Sequence, residues 1–155
     1  WAMAEKTYSN NELQLVAFKL GREEYGISIL QVQEIKRMTD ITRVPHTPDY
    51  LKGVMNLRGS VLPVFDLKKR LDLPDNEYSD DARIVIVKVD EVTLGVIVDA
   101  VSEVLTIGQE NIEPPQVVAG GVIANYLRGI GKINSRLLIL LDINSIIGTG
   151  QDNIK

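Results

Sequence analysis

Residues 13–37, LQLVAFKLGREEYGISILQVQEIKR, lie without a gap over residues 82–106, ARIVIVKVDEVTLGVIVDAVSEVLT, at a shift of 69. In that alignment Gly26 meets Gly95, Val32 meets Val101 and Glu34 meets Glu103. A second block follows in the same order. Residues 50–71, YLKGVMNLRGSVLPVFDLKKRL, lie over residues 126–147, YLRGIGKINSRLLILLDINSII, at a shift of 76. Here Gly53 meets Gly129 and Asp66 meets Asp142. Two ordered blocks make an internal duplication. They define two homologous β modules, 12–80 and 81–150, joined across the acidic, turn-rich stretch Asp72–Asp81. A module of about 70 residues is marginal alone, so packing the two together, with or without exchange of strands, is the expected remedy.

The runs inside the blocks are β-rich. Leu13–Leu20, Tyr25–Ile29, Ser60–Phe65, Arg83–Val89, Thr93–Asp99 and Arg136–Leu141 read as strands between turn signals. Helical signals are short: Pro48–Met55, Leu67–Leu71 and Ile143–Ile147. The fold class is therefore mainly β, with short strands at near-regular spacing that favour barrels or a sandwich over a parallel sheet.

Composition narrows the chemistry. The 155 residues carry 21 acidic and 17 basic side chains, no cysteine and the single histidine His46. Thiol catalysis, disulfides, iron–sulfur clusters and cysteine-ligated zinc are excluded, and no metal site or cofactor is expected. A net charge of −4 is a poor match to nucleic acid, which calls for a basic stripe. One Trp, five Tyr and two Phe leave little to stack bases or sugars on. No run approaches the ~20 apolar residues that span a bilayer. Residues 1–6 lack an apolar stretch of signal-peptide length, so the expected location is the cytoplasm, without membrane insertion.

Catalytic signatures are missing. His46 stands between two prolines in VPHTP, residues 44–48, where an extended loop is expected and no partner nucleophile is spaced to it. There is no G-x-S-x-G elbow and no P-loop, and Gly120-Gly121 lacks a downstream Lys-Ser/Thr. A carboxylate pair assembled in space, as in glycosidases, is not decided by spacing.

The duplication also sorts candidate residues. Gly26 and Gly95 read as close approaches or bulges, and Asp66 and Asp142 as N-caps. Arg58 differs: its counterpart is Asn134, so the fold does not need a guanidinium there, and arginine is favoured at interface hot spots. Glu34, matched by Glu103, leans structural or solvated on chemistry alone. Asp99 opposes Leu30 and is free to pair with an Arg or Lys. Ile29, Val32, Val98 and Val101 could line a groove suited to a partner helix, or all four could be core.

Several strings resemble the CheW-type chemotaxis coupling proteins. They are YGISILQVQEI (25–35), VP (44–45), KGVMNLRG (52–59), LPVFDL (62–67), GVIVDAVSEV (95–104) and LILLD (138–142). The resemblance implies two five-stranded SH3-like β-barrels and a non-enzymatic adaptor, working in the cytoplasm at membrane-associated receptor arrays. Its implied partners are the regulatory domain of the histidine kinase CheA, the cytoplasmic tip of a chemoreceptor (a methyl-accepting chemotaxis protein), and other copies of the adaptor in rings. Carried over by position, Val32, Glu34, Gly53 and Arg58 are implied in partner binding, and Ile29, Val98 and Val101 in the groove. The kinase-facing loops are implied around Ile41, Arg43 and Val44, and around Val117 and Val118. His46 departs from the asparagine the family often has there. An adaptor in another receptor–kinase pathway, such as surface motility, is the alternative; a small β-barrel ligand binder or enzyme is the remote one.

Overall fold

A computed structural model describes residues 12–74, 77–114 and 126–146. Strands β1 (Glu12–Leu20), β2 (Glu23–Ser28), β3 (Val32–Arg37), β4 (Leu51–Leu57) and β5 (Ser60–Asp66) precede the four-residue helix α1 (Leu67–Arg70). Then come β6 (Arg83–Val89), β7 (Val92–Val98), β8 (Ala100–Gly108), β9 (Ile112–Glu113), β10 (Leu127–Ile133) and β11 (Arg136–Leu141). The strands form two sheets, ordered β8-β1-β2-β11-β10-β9 and β3-β6-β7-β5-β4.

Five strands of the first sheet follow the same order as the five of the second, with β9 added at the edge, but neither sheet is built from a single repeat. The first unit takes β1 up to Phe18, Glu23–Leu30, and the chain from Ser102 on; the second takes Lys19–Arg22 and Gln31–Val101. The sequential boundaries 12–80 and 81–150 are thus corrected: the leading hairpin of each repeat sits in the sheet of the other. The pairings that do this are parallel and non-local. β11 runs beside β2 with Leu140 opposite Gly26, and β5 beside β7 with Val64 opposite Gly95. These are equivalent positions in the duplication. Beside both glycines the space is filled: an added Cβ would meet Leu140 Cδ2 at 3.3 Å at Gly26 and Ile84 Cγ2 at 2.8 Å at Gly95.

Each unit has its own core. Leu13, Leu15, Ala17, Ile107, Leu138 and Leu140 fill the first; Met55, Leu62, Val64, Ile84, Ile86 and Ile97 fill the second. Alternate residues of β1, β6 and β11 supply most of them, as strand geometry requires. Each sheet also joins its two edges through one segment. After β8 a single 3-10 turn (Gln109–Asn111) leads into β9, which pairs with β10. In the second unit the chain beyond β3 reaches β4 by one bridge, Thr42 to Val54.

The helix expected over Pro48–Met55 is a strand instead. Leu51, Val54 and Met55 have helical spacing, and Leu51 N donates to Pro48 O at 3.0 Å in one turn. Beyond that, β4 pairs with β5, with a register shift between Leu51 and Gly53. β10 shows the same shift between Leu127 and Gly129. A bulge of this kind puts an extra residue in one strand and disguises the period of two. The short helices after Asp66 and Asp142 are present. Asp66 Oδ1 accepts from Lys68 N at 3.1 Å and Lys69 N at 3.4 Å, and Asp142 Oδ1 from Ser145 N at 3.4 Å. Both aspartates are N-caps.

Candidate partner-binding surface

Arg58 and Gly59 form the two-residue loop between β4 and β5, with φ of 51° and 90°. Positive φ at both positions matches the twist of flanking strands, and Asn56 Oδ1 accepts from Gly59 N at 2.8 Å. Arginine is a poor resident of the left-handed region, where Gly, Asn and Asp are enriched. Asn134, its copy in the β10–β11 loop, has φ of 55° and suits the conformation. Arg58 thus holds a left-handed backbone that its own side chain does not favour.

Its guanidinium reaches β3. Nη1 donates to Glu34 Oε1 at 3.4 Å, and Nη2 pairs with Oε2. These hydrogen bonds, and then the nearby charge, hold the Glu34 carboxyl below its usual range. A depressed folded pKa keeps the pair intact above the ordinary glutamate range and releases it only as pH falls through the lower folded value. Both groups face solvent, so the pair is a presented charge pattern rather than a source of stability.

The equivalent glutamate of the first unit is also paired, by a different arginine. Arg136 Nη1 donates to Glu103 Oε2 at 2.8 Å, while Nε and Nη2 donate to the two Glu24 oxygens at 3.1 and 2.8 Å. Hydrogen bonds donated to Glu24 and then to Glu103 raise the Arg136 pKa. Sequence reasoning passed over Arg136; the match of Glu103 to Glu34 was the signal that could have found it.

The other expected residues are dispersed. Gly53 is buried, and its backbone approaches Thr42 and Ile41. Ile41, Ile29, Val32 and Val101 are half-buried, whereas Arg43 and Val44 are exposed. Val98 is 0 % exposed and offers no surface, because β7 is buried on both faces. Val117 and Val118 lie outside the described residues. Arg43, Val44 and His46 line a cleft of about 1030 Å³ in the second unit, together with Lys52, Asp66 and Tyr78.

Behind this surface is a buried ionic cluster. Lys68, 1 % exposed, donates from Nζ to Asp99 Oδ1 at 2.9 Å and lies 4.2 Å from the centre of the Tyr78 ring. Asp99 Oδ2 accepts from Gly21 N at 2.7 Å, and Tyr78 OH donates to Asp66 Oδ1 at 2.7 Å. Among the described residues no group of three or more His, Cys, Asp and Glu could hold a metal ion, and no helix is long and apolar enough to cross a membrane.

The family profile described as the CheW-like domain matches residues 14–151. The chain belongs to the CheW-like family. A chemotaxis protein CheW of Klebsiella aerogenes is 38% identical over 138 residues, 89% of the CheW-like chain and 83% of the relative. The Bacillus subtilis chemotaxis protein CheW is 38% identical over 135 residues, 86% of each. Among solved structures, the scaffolding protein TtCheW of Thermoanaerobacter tengcongensis superposes with a TM-score of 0.79. It shares 38% identity, covering 84% of the CheW-like chain and 88% of its own. These relatives are named as chemotaxis and scaffolding proteins rather than enzymes, and the CheW-like chain is of that non-enzymatic kind.

Proposed function

We propose that the chain is an adaptor that couples the cytoplasmic tips of chemoreceptors to the histidine kinase CheA, in the cytoplasm at membrane-associated arrays. Family membership supports the reading. The observation that carries it is Arg58, kept on a strained hairpin tip and locked to Glu34 where the duplicated copy is content with Asn134. A rigid, planar donor pair on a small loop is suited to a protein partner, since arginine is enriched at interface hot spots. No bond is made or broken in such a role. Signal passes because receptor and kinase contact the adaptor differently in the two signalling states.

The test is Arg58→Asn, which installs the residue the other unit already uses. The backbone strain is relieved, so the melting temperature holds or rises. Affinity for the kinase regulatory domain or a receptor fragment falls by roughly tenfold or more, as for a hot-spot arginine, and reconstituted kinase activity loses its dependence on receptor. Unchanged binding to both would remove Arg58 from the site.

A further inference from the structure

β3 and β6 meet in a like-charge pair. Arg37 and Arg83 stand directly opposite each other in this antiparallel pairing, so both side chains leave the same face of the sheet, and like charges placed this way repel. Arg37 is exposed and Arg83 half-buried. Neither forms an ion pair among the described residues. Arg83 Nη1 is anchored on the turn before β6, donating to Asp80 O at 2.9 Å and Ala82 O at 2.8 Å, but these are neutral carbonyls. Its Nε and Nη2 make no hydrogen bond among the described residues. The exposed carboxylates of Asp80 and Asp81, beside that turn, pair with neither arginine. The duplication shows that the fold does not require the pair: Arg37 aligns with Thr106 and Arg83 with Gln14, both neutral.

We propose that Arg37 and Arg83 form a binding site for a doubly charged tetrahedral oxyanion, a phosphoryl group. One dianion balances two positive charges, whereas a single carboxylate leaves one of them uncompensated. The planar guanidinium fork engages phosphate oxygens two at a time. Arg83 is already anchored through Nη1, so part of the ordering cost is met before binding. A long polyanion is the wrong occupant. The chain carries a net charge of −4, and Glu77, Asp80 and Asp81 precede β6, so a run of phosphates would meet them where a single phosphoryl group need not. The proposal goes beyond the adaptor reading and does not depend on it.

The experiment is thermal melting of the full chain in sodium phosphate against sodium chloride of equal ionic strength, at about pH 8, where phosphate is mostly dianionic. Phosphate at roughly tenfold excess over its dissociation constant should raise the wild-type melting temperature by about 3 °C or more, and the rise should saturate. Arg37→Thr installs the residue of the first unit and should lose that saturable rise. Arg37→Lys keeps the charge without the fork and should keep only part of it. Exclusion of phosphate from the protein surface stabilises wild type and variants alike, so the readout is the difference between them. An equal rise in wild type and both variants overturns the proposal, as does an equal rise of wild type in acetate. A phosphoserine peptide, run beside its unphosphorylated form, separates the sources of the group. A response to the phosphopeptide alone assigns the site to a phosphorylated protein segment, and a response to inorganic phosphate assigns it to the free anion. No response to either overturns the site and leaves the adaptor reading standing.

Discussion

Gly53→Ala should lower the stability of the chain by about 3 kcal/mol or more, read as a shift of the urea midpoint, from lost hydrogen bonds and backbone strain. The alanine Cβ would stand 2.2 Å from Thr42 O and 2.8 Å from Thr42 C, at a φ of +153°. Neither contact yields by a side-chain rotation, so β4 and the Thr42 segment must part. Parting them breaks both bonds of the bridge, Thr42 N to Val54 O and Val54 N to Thr42 O, each 2.9 Å. Gly129 provides the matched control, since a Cβ there would meet Glu113 O at 2.4 Å. Gly129→Ala should destabilise by a similar amount. The consequence for function is specific. On the proposed adaptor reading, a Gly53 variant is expected to lose partner binding by displacing the loop that carries Arg43 and Val44, which would make Gly53 a positioning residue. Loss of binding without loss of stability would contradict this.

The same glycines show how much of the fold could be read in advance. The duplication was legible because equivalent strands face equivalent packing, so Gly26 and Gly95, or Asp66 and Asp142, are constrained alike. Strands rich in Val, Ile and Leu, such as β6 and β11, announce themselves. β3 did not, because its residues alternate between half-buried and exposed and two of them are basic. β4 was disguised by its bulge. The exchange of hairpins between units was not legible at all, because it depends on parallel pairings between residues 31 or 114 positions apart that no local pattern encodes. Of the candidate site, Arg58 was visible through its mismatch with Asn134. The cleft was not, since it exists only once the Val44–Pro48 loop, β4, α1 and Tyr78 are brought together.

Asp99→Ala should be the other severely destabilising change. In the sequence LKKR, residues 67–70, Lys68 looks like one of a solvated basic run, yet it is 1 % exposed and held by Asp99 Oδ1. Desolvating an ammonium is expensive, and removing the carboxylate 2.9 Å away takes away part of what offsets that cost, up to about 3–5 kcal/mol for a broken buried pair. Asp99 is itself fixed by the turn it caps. Its N–H donates to Lys19 O at 2.9 Å and its Oδ2 accepts from Gly21 N, so the truncation also frees the β1–β2 loop. Two companion variants separate these effects. Asp99→Asn keeps an acceptor for Gly21 N and should lose less than Asp99→Ala. Lys68→Met in the Asp99→Ala background removes the buried ammonium that faced Asp99 while keeping volume, and should recover part of the loss, a coupling measurable by a double-mutant cycle. If the double variant is as unstable as the sum of the two single changes, the ion pair is not what holds α1 to the end of β7. If it recovers, Lys68 and Asp99 form a structural tie behind the cleft, and partner-binding defects at either residue are to be read as displacement of Asp66 and Tyr78 rather than as lost contacts.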